Sequence, residues 1–239
     1  IKRHKESPGR VVFAGGLWSW STMVIHNGHA LRTSIPALKQ CRKQGVNEVY
    51  ATIWGDDGAE CTQMSSLLGL QLYAEYTFSS DVSMELLKDR FAACTGEDMG
   101  AFLALSRMDV LEEAPAGDPL PPDESYATRE LLYNDVLLDL YGKNYENRNL
   151  REHYQELSGK LKAYGEKSPG CREIFAAASL LADFMTDKCG ISSQLRKAYE
   201  AGDRKTLKEL ADVTLPALIR KVEALRAAWR EQWFAYNKP

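Results

Sequence analysis

Two short apolar runs, Val11-Val12-Phe13-Ala14 and Glu48 to Ile53, stand on either side of a helical pattern, and this order constrains the fold more than any other feature of the chain. A strand, a helix and a second strand, with only a short return loop between the last two, put the strands parallel in a right-handed crossover. Two parallel strands do not make an independent sheet, because such strands need neighbours and helices covering them. The stretch up to about residue 75 is therefore expected to be the end of a larger α/β structure. The crossover helix is expected over 34–45: Ser34 can cap it, Pro36 falls in its first turn, and Gly45 can close it in the left-handed conformation.

From there no strand pattern returns. A helix is expected with Met64, Leu67, Leu68, Leu70, Leu72 and Tyr73 as its apolar positions, and helical spacing then recurs over Met84–Cys94, Met99–Met108, Arg129–Tyr141, Leu150–Tyr164, Glu173–Cys189, Ser193–Ala201 and Thr206–Phe234. Gly190 is expected to end one helix, and Asp203 with Thr206 to start the next. The last helix carries Leu215, Leu218, Ile219, Val222, Leu225, Ala228, Trp229 and Trp233 on one side. The fold class is thus mainly α, a small α/β portion followed by an all-helical domain.

Composition removes several function classes. With 44% hydrophobic and 26% charged residues over 239 positions, the chain reads as globular rather than disordered. A formal net charge of -3, with Lys and Arg interleaved among Asp and Glu, provides no basic field, so no nucleic-acid partner is expected. No apolar run approaches the length of a membrane span, so no membrane partner is expected either. The five cysteines are scattered without a C-x-x-C pair and read as reduced structural thiols, which points to a cytoplasmic setting. The chain opens on Ile1 and a polar decapeptide immediately before a strand, the beginning expected of a piece of a longer polypeptide, for which a missing leader says nothing about export.

Sites in parallel α/β structures lie beyond the carboxyl ends of the strands. Both unusual loops of this sequence start there: Gly16-Leu-Trp18-Ser-Trp20 after the first strand, and Trp54-Gly-Asp56-Asp57-Gly-Ala-Glu60 after the second. A sugar stacks its C–H face on an aromatic ring while its hydroxyls donate in pairs to carboxylate oxygens. Trp18, Trp20, Trp54, Asp56 and Asp57 are accordingly the candidate substrate-binding residues. Trp also plugs cores at strand ends, and Asp57-Gly58 is a common turn dipeptide; two such loops at equivalent ends of adjacent strands favour a site. His26 and His29, in the first loop, either line the same cleft or belong to a polar surface loop. There is no G-x-S-x-G elbow, no Cys–His arrangement and no phosphate-cradling glycine loop, and three carboxylates in one turn make a thin cation site, so neither a cofactor nor a metal is expected.

The runs VVFAGGLWSWS, TSIPALKQCRKQGVNEVYATIWGDDGAE and ELLYNDVLLDLYG together resemble bacterial members of glycoside hydrolase family 20, the β-N-acetylhexosaminidases whose catalytic (β/α)8 barrel is followed by a helical domain. The resemblance implies that Val11–Ala14 and Val49–Ile53 are the seventh and eighth barrel strands, so that residues 1–77 are the C-terminal end of the barrel and 78–239 the helical domain. It implies hydrolysis of terminal β-linked N-acetylglucosamine or N-acetylgalactosamine by substrate-assisted retention, in which the sugar's acetamido oxygen is the nucleophile, an Asp orients it and the neighbouring Glu is the acid and base. That pair follows the fourth barrel strand, and here the only Asp-Glu is Asp123-Glu124, in a proline-rich loop. No catalytic residue is therefore expected in this chain, and the 239 residues alone are expected to be inactive.

What the resemblance carries over is the sugar-gripping end. Trp54 is similar to the tryptophan that walls the pocket. Asp56 stands where many members have a longer Glu that binds the C4 and C6 hydroxyls, which leaves open whether it or Asp57 makes those contacts. Trp18 and Trp20 stand where members often have Tyr and Asp, and an indole N–H can donate to the acetamido carbonyl. The Asn134-Asp135 pair, unfavourable inside a helix, is expected to hydrogen-bond to a neighbouring loop. The expected partners are N-acetylhexosamine-containing glycans and, through the helical domain, a second copy in a homodimer. The competing reading is a non-catalytic helical module for dimerisation or docking.

Overall fold

The structure, a computed structural model, describes residues 2–6, 8–20, 22–55, 59–112, 118, 120 and 127–237, and is mainly α-helical. The chain forms two compact units, one of residues 1–125 with 168–170, the other of 126–167 with 171–239. The first unit runs well past residue 77, because the helices that follow pack with those beside the strands.

In the first unit a one-turn helix α1 (Lys2–Lys5) precedes strands β1 (Phe13–Gly16) and β2 (Val49–Thr52), joined by α2 (Asn27–Lys43). The strands are parallel and in register, Phe13 opposite Val49 and Gly16 opposite Thr52. Helix α2 and α3 (Leu67–Phe78) pack against the strands from one side. The side chains that alternate to the other side are uncovered: Ala14 is exposed, and Val12 and Tyr50 are 40% and 56% exposed. Helices α4 (Met84–Thr95) and α5 (Met99–Leu105) complete the unit. Ser83 and Asp98 accept from Leu86 N–H and Ala101 N–H to start them, and Gly96 closes α4 at φ +75°. Their buried faces, with Phe91 edge-on to Phe102 at 5.0 Å, join Leu31, Leu38, Leu68 and Leu72 in the core.

Helix α2 begins seven residues before the expected Ser34. The His26 ring nitrogen accepts from His29 N–H, and Gly28 N–H donates to Ser106 Oγ, so the first turn is capped before the serine is reached. Pro36 consequently lies inside the helix rather than in its first turn.

The second unit comprises α6 (Ala127–Tyr133), α7 (Leu150–Lys167), α8 (Arg172–Glu200), α9 (Arg204–Glu209) and α10 (Leu215–Tyr236). Helices α7 and α8 form the most extensive pair, with Tyr154, Leu157 and Leu161 buried on one and Phe175, Ala178 and Leu181 on the other. A Cβ on Gly165 would sit 3.1 Å from that of Phe175, so glycine allows their close approach. Lys221 on α10 is held to α8 by Asp183 at 3.0 Å and Asp187 at 2.8 Å.

Three expectations in this unit are corrected. The helix expected over 129–141 ends at Tyr133, since Asp135 Oδ1 accepts from Leu137 N–H and Leu138 N–H and turns the chain, while Asn134 donates to Asp139. Lys188 Nζ then donates to the carbonyls of Leu131 and Asn134 at the end of α6. Secondly, α8 does not stop at Gly190. Ile191 and Ser192 just beyond it are buried, and their burial outweighs the roughly 1 kcal/mol that a mid-helix glycine costs. Thirdly, the stretch from Thr206 is interrupted by a π-helical turn at Leu210–Thr214, where Pro216 has no N–H to return to Asp212. The apolar residues of α10 also divide: Leu218 and Leu225 are buried, whereas Ile219, Val222 and Trp233 are exposed.

All five cysteines are free thiols. Burial pushes Cys61 up to about 12 and Cys189 up to about 11, and raises Cys41 as well. In native protein at pH 8 an aromatic disulfide reagent should therefore label the exposed Cys94 rapidly and Cys61 not at all, with all five thiols reacting after denaturation. Rapid native labelling of Cys61 would contradict this packing. Replacing the fully buried Phe102 with alanine should lower the unfolding free energy by about 3–5 kcal/mol in a denaturant titration.

Candidate functional site

Because β1 and β2 run parallel and in register, their following loops leave from the same end. Leu17 N–H extends the ladder by one bond to Thr52 O at 2.9 Å, and the Leu17 side chain is buried. Trp18 then takes φ +53°, a left-handed conformation that costs a bulky residue about 1–3 kcal/mol and needs surrounding structure to impose it. Here the buried Leu17 and Ser19 on either side fix the chain, and His26 N–H meets the Trp18 carbonyl at 3.5 Å.

The turn brings three rings together. Trp18 stacks on Trp20, with centroids 4.8 Å apart and planes 30° off parallel, and His29 from the first turns of α2 meets Trp18 edge-on at 3.8 Å. Trp20 in turn lies over the backbone of Gly16, where an added Cβ would run into its ring. On the opposite side of the strand the hydroxyl of Tyr73 occupies the equivalent place at Gly15. Burial raises the Tyr73 phenol above its ordinary range, so it stays neutral against the sheet.

Trp54, at the end of β2, is bound to the first loop. Its carbonyl accepts from Ser19 Oγ at 2.8 Å, and its indole N–H donates to Thr52 Oγ1 at 2.8 Å. Thr52 Oγ1 itself donates to Gly15 O across the ladder at 3.2 Å. Trp54 is 54% exposed.

Of the sequence candidates, Trp18 and Trp20 are in direct contact, and Trp54 is joined to their loop through Ser19. Asp56 and Asp57 lie outside the described residues. His29 is a neighbour of Trp18, but His26 is neither a cleft residue nor a surface one: it is 1% exposed and caps α2. Ser19 and Thr52 were not among the candidates. Thr52 had a usable signal, since alternation along a strand puts residues 52 and 54 on one side; the partner of Ser19 is 35 positions away and had none. Chemically the described part of the site offers π faces and a histidine edge. Among the described residues, no group of three His, Cys, Asp or Glu side chains could hold a metal ion.

Residues 100–239 match the family model described as Glycoside Hydrolase 20C C-terminal domain. The three tryptophans lie ahead of the matched span. No curated protein matches the chain.

A methyl group at Gly16 must displace the Trp20 ring. Gly16→Ala should therefore change the near-ultraviolet circular dichroism of the stacked indoles while the far-ultraviolet spectrum stays that of the parent. An unchanged near-ultraviolet spectrum would mean that Trp20 does not lie on Gly16.

Proposed function

The chain belongs to the Glycoside Hydrolase 20C C-terminal domain family, and from this premise we propose that it is the C-terminal part of an exo-acting β-N-acetylhexosaminidase, contributing sugar-binding residues to a catalytic centre completed by other residues. In this reading β1 and β2 are the last two strands of a (β/α)8 barrel within residues 1–77, and residues 78–239 form the helical C-terminal domain. The observation that carries it is the union of the two tryptophan loops at one end of a parallel pair, through the Ser19 Oγ to Trp54 O bond. A sheet covered by helices on one side, with Tyr50 bare on the other, also suits a wall of a barrel whose inner face is filled by the remaining strands.

The residues divide the work as follows. Trp54 offers its ring face to the C–H face of a terminal N-acetylhexosamine. Trp18 and Trp20 form the wall at the acetamido side, and one of Asp56 and Asp57 accepts from ring hydroxyls. None of these groups makes or breaks the glycosidic bond; in substrate-assisted retention that falls to the acetamide and to an Asp-Glu pair supplied from outside this chain. The contribution of the chain is positioning, which lowers the barrier only with the acid in place.

A second reading, a non-catalytic helical module for dimerisation or docking, is favoured by the exposed Ile219, Val222 and Trp233 of α10.

Two measurements separate the readings. The 239-residue polypeptide alone should not cleave an aryl N-acetyl-β-glucosaminide, whereas the full-length protein should. In that protein Trp54→Ala should lower kcat/KM roughly five- to twelvefold, as expected from losing a stacking contact of about 1–1.5 kcal/mol. A full-length protein without activity, or an isolated chain as active as the full-length one, would sink the enzyme reading.

A further inference from the structure

An exposed tryptophan on a loop ordinarily keeps its N–H in water, but the Trp54 N–H is bonded within the protein. An indole N–H is a donor only, so the 2.8 Å contact with Thr52 has one possible direction, from ring to hydroxyl. The single hydroxyl proton of Thr52 goes to Gly15 O at 3.2 Å, which leaves a lone pair to receive the indole. Thr52 stands opposite Gly16 in the ladder. Glycine at that position leaves the neighbouring surface to the Trp20 ring.

We propose that Thr52 is a positioning residue for ligand binding: it holds the plane of the Trp54 ring before the ligand arrives and occupies its N–H, so that Trp54 meets the sugar through its face alone. This rests on the reading of Trp54 as a sugar platform. A ring already fixed loses less rotamer freedom when a sugar stacks on it, so the effect falls on binding rather than on bond cleavage. It also divides the indoles by role: any indole donation to the acetamide comes from Trp18 or Trp20.

The test uses the full-length protein and an aryl N-acetyl-β-glucosaminide. Thr52→Val keeps the shape and the strand preference but removes the hydroxyl, and should raise KM about fivefold with kcat within about twofold, the size expected for one hydrogen bond. Thr52→Ser should restore KM. In a Trp54→Phe background, where no N–H exists, Thr52→Val should add nothing; a purely structural hydroxyl, acting through Gly15 O, would add its effect in both backgrounds. Independently of activity, the Trp54 indole N–H resonance, identified by its loss in Trp54→Phe, should exchange slowly in the parent and in Thr52→Ser and rapidly in Thr52→Val. The proposal is overturned if Thr52→Val leaves KM and indole exchange unchanged, or if its effect is as large in the Trp54→Phe background as in the parent. If Trp54→Ala itself leaves KM unchanged, the platform reading falls and takes the role of Thr52 with it.

Discussion

The first unit is organised around two consecutive backbone positions that carry no Cβ. Gly15 and Gly16 end β1, and because successive residues face opposite sides of a strand, their bare sides open in opposite directions. Tyr73 from α3 fills one and Trp20 the other, each at a distance that any side chain would forbid. The same two residues therefore dock the covering helix and set the floor of the aromatic cluster. Packing of the unit and geometry of the site are not separable here. Placing α3 on the sheet and placing Trp20 against Trp18 are consequences of one local feature of the backbone.

In the second unit a different device recurs, the anchoring of chain ends and turns by charged side chains. Lys188 closes the end of α6 through two carbonyls, and its ammonium is held below the ordinary lysine range by burial even with Asp135 and Asp139 nearby. Arg196 meets Asp139 at 3.3 Å and the Leu138 carbonyl at 3.1 Å, which fixes a turn whose leucines 137, 138 and 140 face solvent. Arg151 and Lys221 share Asp187. Partly exposed pairs of this kind contribute little to stability one by one. Their effect is geometric: Lys188 and Arg196 tie the segment after Tyr133 to α8, and Arg151 and Lys221 tie α7 and α10 to the same helix.

The order of elements was legible in the sequence because it rests on periodicity and on connection length. The parallel pair, the crossover helix and the long helical remainder all follow from those two signals. Boundaries failed wherever a partner distant in sequence decided them. Helix α2 starts early with Ser106 receiving its Gly28 N–H, α8 runs through Gly190 because the residues beyond it are buried, and the early end of α6 is closed by Lys188, more than fifty positions away. The candidate site divides in the same way. Trp18, Trp20 and Trp54 stood out by residue type, while the left-handed backbone at Trp18 and the Ser19 link between the loops depend on the fold being formed.

The in-register pairing of Gly16 with Thr52 also imposes a parity on the return segment between Lys43 and Val49. Shifting β2 by one residue against β1 would turn every side chain of the strand over, placing Ile53 where Thr52 now stands and sending the hydroxyl toward the helices. Trp54 would turn with it, away from the loop of Trp18 and Trp20. A change of two residues preserves the facing, and a change of one reverses it. The length of a segment that touches no indole thus acts as an even-or-odd switch on which side of the sheet the aromatic surface appears.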